Sequence, residues 1–179
     1  MIESDVEIVQ QCLNGHKNAF RFIVQRYHKT IFNAAFRILN DYDDATEVTQ
    51  SVFVKAYENL YTFNKRYKFF SWLYRIAVNE SLNFLGQRKH TDEVDESIIS
   101  RDKTPYESYD DLEIQDKIQN ALMRLNLDYR VVIVLCHFQD LSYKEISYVL
   151  DIPEKTVKSR LFTARQLLRG LLMKEGFTI

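Results

Sequence analysis

Residues 142–161 read SYKEISYVLDIPEKTVKSRL. Ser142 and Glu145 stand three apart, the spacing at which a serine hydroxyl and a glutamate carboxylate satisfy reciprocal backbone donors, so a helix is predicted to begin at 142–143. Ile146, Val149 and Leu150 form its buried side, and Asp151-Ile152-Pro153 ends it. A second helix restarts within a few residues, with Thr156 as a candidate N-cap and Val157, Leu161, Ala164, Leu168 and Leu171 as the inward stripe. Short helix, tight turn and longer helix make the outline of a helix-turn-helix. Lys158, Ser159 and Arg160 occupy the first turns of the second helix, where a recognition helix meets base edges in the major groove. Lys155, Thr156 and Arg165 complete the candidate duplex-reading set. From 155 to 174 there are six basic residues and no acid, which favours DNA binding over a merely solvated helix face.

Upstream, Ile118, Leu122 and Leu125 recur at helical spacing, and Val131-Val132-Ile133-Val134-Leu135 alone would pass for a buried strand. Too few partner strands exist to build a sheet around it, so a buried helix is expected. The same holds for the chain as a whole. Four glycines and two prolines in 179 residues leave little turn chemistry for an all-β fold, and an all-α architecture is expected. The glycines are also too scattered for a phosphate-cradling loop. The cysteines, Cys12 and Cys136, and the four histidines show no zinc spacing, so neither metal nor cofactor is expected. The longest apolar run, Val131–Cys136, is far below the roughly 20 residues of a membrane span. The acidic start, Met1-Ile2-Glu3-Ser4-Asp5, lacks a secretory pattern, so a cytoplasmic location without membrane insertion is expected.

The net charge of −1 hides segregation. Residues 62–91 hold six basic residues against Glu80 alone, whereas 92–116 hold ten acids against Arg101 and Lys103. This acidic stretch has too few apolar residues to offset the entropy of ordering it and reads as a linker. Three parts follow: a helical unit over 1–88, an acidic linker over 89–113 and the helix-turn-helix unit over 114–179.

In the first unit, apolar residues from Ala19 to Leu39 recur at three- and four-residue steps, as one long amphipathic helix requires. Asn40 to Asp44 break the pattern and supply caps for the next helix, whose buried stripe is Ala45, Val48, Val52, Phe53, Ala56 and Leu60. Glu47, Gln50, Ser51 and Glu58 are left outward, a solvated face or a dock for a basic partner. The segment Phe63 to Arg75, FNKRYKFFSWLYR, interleaves aromatic rings and cations. Single-stranded nucleic acid needs that pairing, because cations track phosphates while rings stack on unpaired bases. Core packing explains the same rings equally well from composition alone. Beyond them Arg75, Asn79 and Asn83 recur at four-residue steps as one polar stripe.

Two separated blocks together resemble one family, the extracytoplasmic-function (ECF, group IV) sigma factors of the sigma-70 family. Ala19-Phe20 through Tyr27 is similar to its opening helix, Asp44 through Phe53 to its core-polymerase-binding helix, and Phe70-Ser71-Trp72-Leu73-Tyr74-Arg75-Ile76-Ala77-Val78-Asn79 to its promoter-melting block. Leu141 through Ile146 and Thr156 through Leu161 resemble its second-domain helix-turn-helix. The Trp-Leu-Tyr-Arg-Ile-Ala-x-Asn string is specific; the helix-turn-helix alone is a weak sign.

The resemblance implies two helical domains, sigma-2 and sigma-4, no catalysis, and a sigma factor that directs promoter-specific initiation by capturing a melted minus-10 strand and reading the minus-35 duplex. Asn79 and the loop from Phe63 to Phe70, with Lys65, Arg66 and Tyr67, would hold the melted strand, and Trp72 of the aromatic segment with Arg75 and Asn83 of the polar stripe complete the candidate minus-10 set. Asp44, Glu47 and Gln50 would dock on the clamp of the β′ subunit of core RNA polymerase, sigma-4 on the β flap, and the linker would thread toward the RNA exit path. An anti-sigma factor is a further expected partner. Thr49, Ser51, Lys158 and Thr163 depart from residues common in the family, and lysine cannot make the bidentate fork that arginine offers guanine. A stand-alone helix-turn-helix regulator would not need the 63–79 block, and a nucleic-acid enzyme would need a carboxylate or metal constellation that the placement of the acids does not supply.

Overall fold

The computed structural model describes residues 4–91 and 109–178, so the central part of the expected linker lies outside the described residues. Within them every regular element is helical. Helix α1 (Asp5–Leu13) begins at a capping box in which the Ser4 N–H donates to Glu7 Oε2 at 2.7 Å and the Glu7 N–H to Ser4 Oγ at 3.3 Å. Asp5 pairs with Arg26 and accepts from the Tyr27 hydroxyl at 2.6 Å, which ties α1 to the next helix. Helix α2 (Phe20–Leu39) is entered through one 3₁₀ turn and buries Ile23, Ile31, Ala34, Ala35 and Ile38. It stops at Asn40, which adopts the left-handed conformation (φ 60°) that asparagine tolerates better than most side chains.

Asp41 then caps α3 (Tyr42–Glu58), its carboxylate accepting from the Asp44 N–H at 2.9 Å. Ala45, Val48, Val52 and Ala56 face inward, as the periodicity predicts. Buried Thr49 satisfies its hydroxyl within its own helix by donating to the Ala45 carbonyl at 2.6 Å. Helix α4 (Phe69–Thr91) packs across α2 and α3 through Leu73 and Ala77.

The second unit comprises α5 (Tyr109–Met123), α6 (Leu127–Ile133) with a π turn at Val134–Phe138, α7 (Tyr143–Leu150) and α8 (Glu154–Lys174). The apolar run is helical, and its side chains from Val131 to Leu135 are no more than 3% exposed because they form the centre about which α5, α7 and α8 pack. Helix α7 starts where the capping box places it, with the Glu145 N–H donating to Ser142 Oγ and the Ser142 N–H to Glu145 Oε2. Thr156 is not the N-cap of α8. That position belongs to Pro153, and the Thr156 N–H already donates to the Pro153 carbonyl at 2.8 Å inside the first turn. Proline has a fixed φ and no N–H to lose at a helix start.

The two units pack against each other. The last carbonyls of α2 have few donors within their own helix, Phe36 accepting from the Asn40 N–H at 2.7 Å, and the second unit supplies further ones. Arg130 of α6 is buried and donates to the Ile38 carbonyl at 2.7 Å, while Gln119 Nε2 of α5 lies 3.4 Å from the carbonyls of Phe36 and Arg37. The Arg37 guanidinium covers the Phe138 ring at 3.8 Å. On the other side, α7 lies along α4.

Candidate nucleic-acid interface

The aromatic and cationic segment divides into a buried and an exposed part. Phe69, Trp72 and Tyr74 are buried, and Phe63, Phe69 and Trp72 form one ring cluster with centroids 5.2–5.8 Å apart. Trp72, a candidate contact for the melted strand, is 6% exposed, so its ring is not free to stack on a base. It forms a wall instead. Lys65, Arg66, Tyr67 and Lys68 remain on the surface, on a turn held by the Tyr67 N–H donating to the Asn64 carbonyl and the Arg66 N–H to Asn64 Oδ1, both at 3.0 Å. Phe63 and Phe70 are half-buried. Packing of the ring cluster thus anchors the loop on one side and presents its cations on the other.

Beside this loop, between the end of α3 and the start of α4, runs a groove of about 270 Å³, near the low end of small-ligand sites at about 300–1,000 Å³. Asn59, Thr62, Trp72, Arg75 and Asn79 line it. Asn79 is exposed, with its amide donors and acceptor available for a base edge. Lys55 and Glu80, paired at 2.6 Å, form the wall to an adjoining groove that contains Asn83. The Arg75–Asn79–Asn83 stripe is therefore split between two grooves. Burial pushes the Glu80 carboxyl up, but hydrogen bonds from Lys55, Ser51 and Asn83 outweigh it and hold the group below its usual range. The ionised Glu80 carboxylate keeps Lys55 in place.

On α8, Lys155, Lys158, Ser159 and Phe162 share the exposed face, and Phe162 is 66% exposed. Arg160 lies on the opposite flank and pairs with Asp128 of α6 at 2.7 Å, while Lys158 pairs with Glu154 one turn before it at 3.2 Å. At 100° per residue Arg160 points about 160° away from Lys158. Thr156 is half-buried in the first turn. Arg165 is held by His137, to whose Nε2 its Nε donates at 3.1 Å, and by the Tyr143 hydroxyl at 3.3 Å.

On α3, Glu47 and Gln50 are exposed, but Asp44 is partly covered and pairs with Arg88 of α4 at 2.5 Å. Asp44, a candidate docking residue, is thus also engaged within its own unit. Burial and neighbouring Asp41 hold the Asp44 carboxyl above its usual range despite Arg88. The face continues through Val54, Tyr57 and Tyr61, with Tyr61 73% exposed. Sequence reasoning missed these three, although apolar residues at three- and four-residue steps outside the buried stripe are a readable sign of a second face.

Residues 23–91 match the family Sigma-70 region 2, and residues 115–168 match Sigma-70, region 4. The chain belongs to the sigma-70 family. Among its relatives, the ECF RNA polymerase sigma factor SigW of Bacillus subtilis is 32% identical over 176 residues, covering 92% of this chain and 94% of that one. The RNA polymerase sigma-H factor of Pseudomonas aeruginosa is 32% identical over 177 residues, covering 92% and 91%. The solved structure of CnrH in complex with the cytosolic domain of CnrY superposes with a TM-score of 0.74 at 25% identity, covering 96% of this chain and 99% of that one. This ECF sigma factor is thus a promoter-recognising protein that directs transcription initiation. No helix among the described residues is long and apolar enough to cross a membrane.

Proposed function

We propose that this sigma factor, without catalysis of its own, captures a melted minus-10 strand with residues of its first unit, 1–88, and reads the minus-35 duplex with its last, 114–179. The observation that carries this reading is the groove holding Arg75 and exposed Asn79 beside the cationic turn Lys65–Lys68. Unpairing a base costs a few kcal/mol, and stacking on an aromatic side chain returns roughly 1–3 kcal/mol per base. Tyr67, Phe63 and Phe70 offer ring surface, Lys65, Arg66 and Lys68 neutralise phosphates, and Asn79 hydrogen-bonds the extruded base. Trp72 supports the pocket from behind. Asn83 sits in the adjoining groove, where it meets a neighbouring nucleotide.

On the duplex side Lys155, Lys158 and Ser159 face DNA, Arg165 flanks them, and Arg160 and Thr156 hold the helix-turn-helix together. Glu47 and Gln50, extended by Val54, Tyr57 and Tyr61, dock on the β′ clamp of core RNA polymerase, with Asp44 fixing the start of that helix. The sigma-4 unit meets the β flap, and the acidic linker over 89–113 joins the two. The setting is the cytoplasm. An anti-sigma factor is a further partner; in the solved structures CnrH is bound to the cytosolic domain of CnrY, and the sigma factor RpoE to the anti-sigma factor NepR from Bartonella quintana.

Asn79→Ala should lower permanganate reactivity of promoter thymines in the open complex while co-purification with core polymerase stays unchanged. Wild-type reactivity in that variant would sink the assignment, and failure of the wild-type chain to co-purify with core polymerase would sink the sigma-factor mechanism in favour of a stand-alone DNA-binding regulator.

A further inference from the structure

The residues assigned above to the melted strand are already occupied by this chain's own helix-turn-helix. The Tyr148 ring of α7 stacks on Tyr67 with centroids 3.8 Å apart and planes 16° apart. Glu145, one turn before it, accepts from Lys68 Nζ at 2.9 Å. Asp151, one turn after it, sits 3.4 Å from Arg75 Nη2, and Arg75 Nη1 donates to the Tyr148 carbonyl at 3.2 Å. Gln139 accepts from the Tyr74 hydroxyl at the same seam. Residues three apart on a helix share a face, so α7 presents a flat ring bracketed by two carboxylates. That is the chemistry of a stacked base between two phosphates.

We propose that α7 acts as an internal mimic of single-stranded DNA, which closes the strand-capturing surface in the free chain and must swing away before the minus-10 strand can enter. This rests on the reading of Tyr67, Lys68 and Arg75 given under the proposed function. The seam is built to open. Lys68 is 68% and Asp151 83% exposed on their side chains, so both ion pairs are screened by salt and replaceable by phosphate. The mimicry uses the ring and carboxylates on the outer side of α7, whereas Ile146 and Val149 are buried in the hydrophobic core. The device also explains how one chain can carry two cationic DNA-binding surfaces without holding nucleic acid indiscriminately. The surface that grips any single strand is the one covered.

Two variants of the full chain test it without touching a residue assigned to DNA. Glu145→Gln with Asp151→Asn removes both charges yet keeps the helix cap, since glutamine serves in a capping box and asparagine tolerates the left-handed φ of 54° at position 151. Tyr148→Ala removes the ring. Binding of a fluorescein-labelled 20-nucleotide oligothymidylate by the free chain at low salt should tighten about tenfold in each variant, with circular dichroism melts confirming the fold. Unchanged or weaker binding in both folded variants would overturn the latch. Run-off transcription with core polymerase, measured in parallel, separates the two readings. Run-off activity in the wild-type chain without an affinity gain in either variant sinks the latch alone, and no run-off activity in the wild-type chain sinks the proposed function and the latch's role with it.

Discussion

Arg130 on α6 donates through Nη1 to the backbone carbonyl of Ile38, at the end of α2, over 2.7 Å. The same guanidinium donates to the carbonyls of Leu122, Met123 and Leu125 at 3.0–3.2 Å, at the end of α5. One buried cation therefore sits between the negative ends of two helices from different units. Desolvation lowers its pKa from the usual arginine value, yet the guanidinium stays charged at any physiological pH. It contributes more to the relation between the units than an exposed ion pair would.

Removing this cation should be costly. Arg130→Ala strands several buried carbonyls at about 1–3 kcal/mol each, so a total loss of about 3 kcal/mol is expected. In a chain of this length that lowers Tm by roughly 6–12 °C. A urea titration measures it, and a change of less than about 0.5 kcal/mol, the range of ordinary surface substitutions, would count against the role.

Trp72 and Asn79 should separate in their effects. Trp72→Ala opens a hole beside Phe63 and Phe69 and should cost about 3–5 kcal/mol of stability. Asn79→Ala, at an exposed position, should stay within about 0.5 kcal/mol of wild type. Thermal melts of both variants alongside the permanganate assay show whether each loss of promoter opening comes from the fold or from the contact.

Acid should loosen two specific contacts. Glu80 and Glu145 both lie below the ordinary carboxylate value of 4.5, Glu145 because hydrogen bonds from Ser142 and Lys68 outweigh its burial. A depressed folded-state pKa means stability that is fully present above the unfolded value and lost as pH falls through the folded one. Asp44, held above its usual range, works in the opposite sense. Unfolding free energy measured from pH 6 downward should therefore fall below about pH 4.5, and Glu80→Gln should flatten the fall. An identical slope in that variant would show that the Lys55–Glu80–Ser51 contact carries no linkage.

The two flanks of α8 should differ in salt dependence. Neutralising a phosphate contact removes about one unit from the slope of log affinity against log salt. Lys158→Ala should show this drop in holoenzyme binding to promoter duplex. Arg160→Ala, which breaks the pair with Asp128, should leave the slope unchanged and lower the melting temperature of the chain. Equal slopes for both variants would return Arg160 to the DNA face.

Local interactions were the legible part of this protein. Helix periods, the Ser142–Glu145 box, a cap for α3 within Asn40–Asp44 and the end of α7 at 151–153 each depend on nearby side chains, and all of them stand in the structure where the chain order places them. The Ser4–Glu7 box that begins α1 obeys the same rule and was equally readable, although it went unread. The family strings were legible too, because the Trp72-to-Asn79 spacing is itself a helical face. Which rings are buried was not, since phenylalanine and tryptophan serve a core and a base with the same chemistry. Only packing put Trp72 in the wall of the groove and Tyr67 against Tyr148. Arg160 could be placed on a flank by its angle, but its partner Asp128 is 32 positions away. The seam between the units, with Tyr67 against Tyr148 and Arg130 against Ile38, joins residues 81 and 92 positions apart. Contacts of that range depend on how the helices meet in space, and no local period records it.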